Sequence, residues 1–157
     1  MPVNPIPQGY STVTSFLILK DVPEFIEFAK KSFDAIELER HYDTDKVSVM
    51  HAEIKIGDSC MMLNDEIPQM KCLSPQTIGG TSGGIFLYVQ DTDDVYNKAI
   101  SAGAKSKMPP MDAFWGDRFA SIIDPFGHVW SIATHQKDMT LDEVKKAGDE
   151  FMKNQCK

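Results

Sequence analysis

Residues 11–19 are dense in β-branched and apolar side chains. Residues 48–56 alternate, with Met50, Ala52, Ile54 and Ile56 on one side and Val49, His51, Glu53 and Lys55 on the other. Both patterns are those of strands. Between them, Val22, Phe25, Ile26, Ala29 and Phe33 recur at helical spacing. Asp21, Pro23 and Glu24 supply a helix start: a cap, an early proline and an acid in the first turn. Residues 35–42 and 59–63 read as two further strands, and Gly57-Asp58 as the hairpin turn before the last. Residues 11–65 are therefore predicted to be β-α-β-β-β. Residues 1–10, with three prolines and a glycine, read as an extended arm.

Residues 66–83 have little periodicity and read as a linker, most flexible in its glycine-rich part. The pattern then restarts over residues 84–137. Residues 85–89 are a strand, and Asp91 to Asp94 cap a helix that Gly103 ends. Residues 104–107 are a short strand stopped by a Pro-Pro break at 108–111, residues 114–124 a long strand, and residues 128–134 the last strand. The two parts align at a constant offset of seventy. Phe16-Leu17-Ile18-Leu19-Lys20-Asp21 meets Phe86-Leu87-Tyr88-Val89-Gln90-Asp91, Ala29 meets Ala99, and Gly57 meets Gly127. A repeated supersecondary unit implies that each half buries its apolar face on the other. Thr140-Leu141-Asp142-Glu143 is a capping box, so residues 138–157 are predicted to carry a C-terminal helix outside the repeat. The fold class is α+β.

With 42% hydrophobic residues in 157, the chain can build a sizeable core. A formal charge of −7 argues against a phosphate-binding surface for nucleic acid and against anionic membranes. No apolar run reaches the length of a membrane span, and no signal-peptide pattern opens the sequence. Cys60, Cys72 and Cys156 are odd in number and widely spaced, which suits reduced thiols and a cytoplasmic location. No G-x-S-x-G, Walker or GxGxxG motif is present. The Gly79–Gly84 run precedes a strand rather than a helix, so it reads as a hinge and not as a phosphate cradle.

Three segments carry a resemblance. Asp124-Pro125-Phe126-Gly127-His128 with Trp130-Ser131-Ile132-Ala133-Thr134-His135, Trp115-Gly116-Asp117-Arg118, and the hairpin from His51 to Asp58 resemble the PhnB-like branch of the glyoxalase/bleomycin-resistance (vicinal-oxygen-chelate) superfamily. The resemblance spans about residues 11 to 137. It implies two βαβββ modules forming a cupped mixed sheet with helices outside, in a homodimer that binds a small organic ligand. Members include isomerases, lyases, dioxygenases, antibiotic-modifying enzymes and metal-free binding proteins.

Placed on that fold, strand alternation sorts the side chains. Met50, Ala52, Ile54 and Ile56, and Val13, Leu17 and Leu19, are expected under the helices, with Val49 in the cup. The expected ligand-binding residues are Thr14, Phe16, His51, Glu53, Phe86, Tyr88, Trp115 and Phe119. His128 and His135 read as structural or surface residues, and His41 as part of a solvated loop end. Metal-using members carry ligands at strand positions that fall here on Thr14, Gly84, Ser131 and Met61 or Met62, none a good donor for a divalent ion. No cofactor is expected on that basis, and a divalent metal is not supported at those positions. The first functional expectation is a metal-free small-molecule-binding protein with an aromatic-lined cup. The second is a lyase, isomerase or transferase that uses His51 and Glu53 as catalytic candidates, a general base and its orienter, with an atypical metal or none.

Overall fold

The computed structural model describes residues 3–155; the predicted C-terminal segment beyond, including Cys156, lies outside the described residues. The first half comprises β1 (Ser15–Leu19), α1 (Val22–Phe33), β2 (Ile36–Tyr42), β3 (Val49–Ile56) and β4 (Ser59–Asp65). A 3-10 turn at Pro68–Met70 and the short α2 (Pro75–Ile78) follow. The second half comprises β5 (Gly84–Tyr88), α3 (Thr92–Ser101), β6 (Lys105–Asp112), β7 (Asp117–Ile123) and β8 (Val129–His135), and α4 (Leu141–Gln155) closes the chain.

The strands form two four-stranded mixed sheets of identical topology, β1-β4-β3-β2 and β5-β8-β7-β6. In each, the first and last strands of the module pair in parallel and the rest antiparallel. Parallel pairing needs a crossover, which the helix supplies. The same device starts both helices: Asp21 accepts from the Glu24 amide at 2.9 Å and Asp91 from the Asp94 amide at 3.0 Å. The repeat at an offset of seventy is thus realised residue for residue at the caps.

One face of each sheet and the helices α1 and α3 share a single core. Ala52, Ile54, Met61 and Leu63 come from the first sheet, and Ile122, Trp130 and Ile132 from the second. Trp130 of the second half meets Phe33 at 4.5 Å and Phe25 at 6.4 Å, both on α1. Its indole Nε1 donates to Asp124 Oδ2 at 2.8 Å. Asp124 Oδ1 accepts from the amides of Phe126 and His128, each at 2.9 Å. The Asp-Pro-Phe-Gly-His-x-Trp segment is therefore a turn built around one buried carboxylate.

Four features differ from the pattern-based reading. β1 begins at Ser15 rather than at residue 11, because its ladder with β4 starts at Ser15 opposite Met61. Val13 lies before the strand and is exposed rather than under a helix. In β3 the register skips Met50, as Tyr42 pairs with Val49 and His41 with His51. A β-bulge shifts the alternation by one, so Val49 enters the core and Met50 faces solvent, the reverse of simple alternation. β6 runs through Pro109-Pro110 instead of stopping there; it is the edge strand of its sheet, where missing N–H donors cost no ladder bond, and its register shifts on either side of Met108. The linker carries local order: Glu66 accepts from the Ser74 amide and hydroxyl and from the Thr77 hydroxyl, at 3.0, 2.8 and 2.7 Å, which pins the start of α2.

Replacing the Asp124 carboxylate leaves the Trp130 indole and two buried amides without a partner. Asp124→Ala is expected to destabilise the fold by about 3 kcal/mol, and Trp130→Phe, which removes one donor and little volume, by about 1–2 kcal/mol. Urea unfolding followed by circular dichroism measures both. A loss below about 0.5 kcal/mol for Asp124→Ala would show that the turn does not depend on this carboxylate.

Candidate functional site

The core takes one face of each sheet, so the opposite faces are left for other uses. On the second sheet, Phe86 pairs across the ladder with Ser131, Tyr88 and Phe119 with Ala133, and Asp117 with His135. These residues share the face away from the core. Phe86 packs on Tyr88 at 5.1 Å and on Phe119 at 6.0 Å between ring centres, and Trp115 packs edge-on against Phe119 at 5.4 Å. The cluster is open: Phe86 is 49% exposed and Tyr88 67%. These aromatic rings therefore do not fill a closed core.

The Trp115-Gly116-Asp117-Arg118 segment organises this face. Asp117 is only 2% exposed, and its carboxylate accepts from Trp115 Nε1 at 2.9 Å and from the Tyr88 hydroxyl at 3.3 Å. The other oxygen lies 2.7 Å from His135 Nδ1. Arg118 points to the opposite side and forks onto Asp93 with two bonds of 2.8 Å, tying β7 to α3. Gly116 has φ +98°, and a Cβ there would collide with the Lys137 carbonyl oxygen, so only glycine fits. Its own carbonyl accepts from the Gln136 and Lys137 amides. Next to it, Phe114 packs on Phe151 of α4 at 5.5 Å. The C-terminal helix thus docks beside the aromatic face.

Strand alternation also puts Asp117 on the cup side, as found, whereas His135, which reads as a surface residue at a strand end, faces the site unexpectedly. The signal available was the pairing of Asp117 with His135 at opposite ends of two neighbouring strands, which a single sequence does not display. Asp138, then Asp117, hold the His135 imidazole above its ordinary pKa of 6.5, against a smaller effect of burial. A His whose pKa is raised by folding contributes stability that is complete below the ordinary value and is lost as pH rises through the raised one.

On the first sheet, the outward face carries Phe16, 54% exposed, together with His51 and Glu53. His51 Nε2 lies 3.1 Å from Glu53 Oε1. Glu39 of β2 is directly opposite Glu53, and His41 directly opposite His51. His41 therefore belongs to this face rather than to a loop end. Tyr10, from the arm, buries its hydroxyl beside Glu53 without a well-formed hydrogen bond. Contact with that carboxylate, then burial, push the Tyr10 phenol up to about 12. Tyr10, and next His51, hold the Glu53 carboxyl below its ordinary range, although burial opposes them.

Thr14 sits just ahead of β1, half-buried, with its hydroxyl donating to the Ser11 carbonyl at 3.0 Å. The free edges of β1 and β5 line two grooves. One, of about 360 Å³, includes Phe16; the other, of about 890 Å³, includes Thr14, Phe86 and Tyr88. His51, Glu53, Trp115 and Phe119 line neither. The eight expected binding residues thus fall into two sets, and among the described residues no aromatic pair or hydrogen bond joins Phe16, His51 or Glu53 to the second-sheet rings. At the positions where the resemblance would place metal ligands, Thr14, Ser131 and Met62 offer hydroxyl and thioether groups and Gly84 no side chain, while Met61 is buried in the core.

Residues 11–132 match the family model of the Glyoxalase/Bleomycin resistance protein/Dioxygenase superfamily. An uncharacterised protein of Mycobacterium bovis is 38% identical over 134 residues, covering 83% of this chain and 88% of the relative. An uncharacterised protein of Mycobacterium tuberculosis is 38% identical over the same length, covering 78% of the relative. Among solved structures, TioX from Micromonospora sp. ML1 matches with a TM-score of 0.60 and 23% identity, over 83% of this chain and 100% of that one. The fosfomycin resistance protein FosX from Listeria monocytogenes, complexed with Mn(II) and sulfate ion, matches with a TM-score of 0.62 and 19% identity, over 85% and 95%. At these identities the solved structures show the fold. Among the described residues no helix is long and apolar enough to cross a membrane.

The His135 geometry makes a pH-dependent prediction. In Asp138→Asn the His135 pKa, read by NMR titration, is expected to fall back towards its ordinary value. The stability difference between wild type and this variant should be present below about pH 6.5 and vanish as pH rises through the raised pKa. An unchanged His135 titration would show that Asp138 does not hold the imidazole.

Proposed function

Because the chain belongs to the Glyoxalase/Bleomycin resistance protein/Dioxygenase superfamily, we propose that it binds a small planar or aromatic organic molecule on the open faces of its sheets. The observation that carries this reading is the ring cluster Phe86, Tyr88, Phe119 and Trp115, held in place by the buried Asp117 and left open to solvent. Exposed aromatic surface of this kind, set beside a groove of about 890 Å³, has the size and chemistry of a ligand site. The exposed Tyr88 hydroxyl, held by Asp117, supplies a polar group that orients a ligand. Binding without a metal at the strand positions used by metal-dependent relatives is part of this proposal, since Thr14, Gly84, Ser131 and Met62 lack suitable donors. So is a cytoplasmic location, on the grounds of reduced thiols. The PhnB-like branch remains the nearest reading of the Asp-Pro-Phe-Gly-His-x-Trp ending.

A homodimer completes the proposal. Phe16, Ile36, Leu38, Met50, Phe86, Tyr88 and Met108 all leave large apolar surface exposed. Monomers rarely leave so much apolar surface uncovered, and a second copy would bring a first-sheet face against a second-sheet face, joining the two residue sets that one chain keeps apart. A second, catalytic reading has one specific observation in its favour: the 3.1 Å His51–Glu53 pair, in which the carboxylate orients the imidazole as a general base for a lyase, isomerase or transferase step.

Aromatic carboxylates and planar heterocycles are expected to raise the melting temperature in a thermal-shift panel and to quench Trp115 fluorescence. Phe119→Ala should weaken the best of them about tenfold. A panel with no stabilising compound, or one whose binding is indifferent to Phe119→Ala, would overturn the reading. Light scattering should give twice the chain mass; a monomer at all concentrations would remove the shared cup while leaving the single-face site testable by the same panel.

A further inference from the structure

We infer that Glu39, His51 and Glu53 form a divalent-cation site on the outer face of the first sheet, away from the strand positions that metal-dependent relatives use. One imidazole nitrogen and two carboxylate oxygens from these side chains all lie within 4.8 Å of one another. His51 Nε2 is 3.1 Å from Glu53 Oε1 and 3.8 Å from Glu39 Oε1. Bonds of about 2.0–2.2 Å at a tetrahedral angle put neighbouring donor atoms about 3.4 Å apart, midway between these two distances. Small rotations of the Glu39 side chain, about half-exposed on edge strand β2, bring it into range.

The charge pattern supports the same conclusion. Glu39 and Glu53 are directly opposed on neighbouring strands, an arrangement that like charges disfavour. Among the described residues neither carboxylate has a lysine or arginine within ion-pair distance: Glu39 meets only His41 and His51, and Glu53 only His51. Arg40, next to Glu39 in sequence, is engaged by Glu37 instead. A bound cation neutralises the two opposed carboxylates. Two neighbours then act as outer supports. His41 Nε2 lies 3.4 Å from Glu39 Oε1 and orients it, and the buried, poorly partnered Tyr10 hydroxyl stands behind Glu53. One imidazole with two carboxylates suits a borderline ion of the Zn²⁺ class, with a fourth position left for water or ligand.

The test is calorimetric titration of the chelator-treated full chain with Zn²⁺ alone. One equivalent per chain is expected. Glu39→Gln and His51→Ala should each weaken binding by about tenfold or more, and Tyr10→Phe by less. Histidine NMR should show His51, and not His128, shifting on titration. Glu39 is half-exposed at a sheet edge, so Glu39→Gln keeps its fold, which circular dichroism checks. Absence of stoichiometric binding, or wild-type affinity in both Glu39→Gln and His51→Ala, would overturn the site. The readout needs no organic ligand, so the outcome is independent of the aromatic-face proposal.

Discussion

A single buried carboxylate anchors the arrangement. Asp124 collects one indole N–H and two backbone N–H donors in a space that water does not enter. Each of those donors would be costly to bury alone. Satisfied together, they close the turn between β7 and β8 and hold the Trp130 ring where Phe25 and Phe33 of the other half pack on it. The joint between the two modules is therefore aromatic packing whose geometry depends on a polar core of three hydrogen bonds. The apolar contacts supply most of the free energy, and the carboxylate supplies the orientation.

That joint decides what the rest of the molecule can do. With α1, α3 and one face of each sheet committed to a common core, the other faces are released from packing duty. Those faces hold the chemistry: rings and the Asp117 hub on the second sheet, carboxylates and imidazoles on the first. The two modules share a topology and matched helix caps, yet their free faces have diverged. Phe16 and Phe86 match at an offset of seventy, but Tyr88, Trp115 and Phe119 stand at that offset from Ile18, Asp45 and Val49, so most of the aromatic character of one face has no copy on the other. A duplicated scaffold with two different faces is suited to holding a ligand that is itself asymmetric.

Several misreadings share one cause, which is that backbone pairing is decided by a neighbour strand. The bulge at Met50 exchanges the roles of Val49 and Met50, and nothing within residues 48–56 signals it; it arises because β2 opposes β3 with one residue fewer there. Pro109-Pro110 looks like a break when read locally and is harmless on an edge strand. Glu39 drew no notice as a site residue, and His41 only as a loop end, because their significance lies in standing across from Glu53 and His51. His135 likewise gains its meaning from Asp117, eighteen residues away and across a ladder.

The sequence by itself determined the order of elements, the repeat at an offset of seventy, the helix caps, the apolar face of α1 and the family-like ending around Asp124 and Trp130. These rest on local periodicity and short-range hydrogen bonding, which neighbouring residues encode. Only the tertiary structure decided which cross-strand partners meet, that the predicted cup residues divide between two faces, and that Glu39, His51 and Glu53 converge. Those outcomes depend on strand register and on which sheet face the core consumes, and both are properties of the assembled modules rather than of any segment.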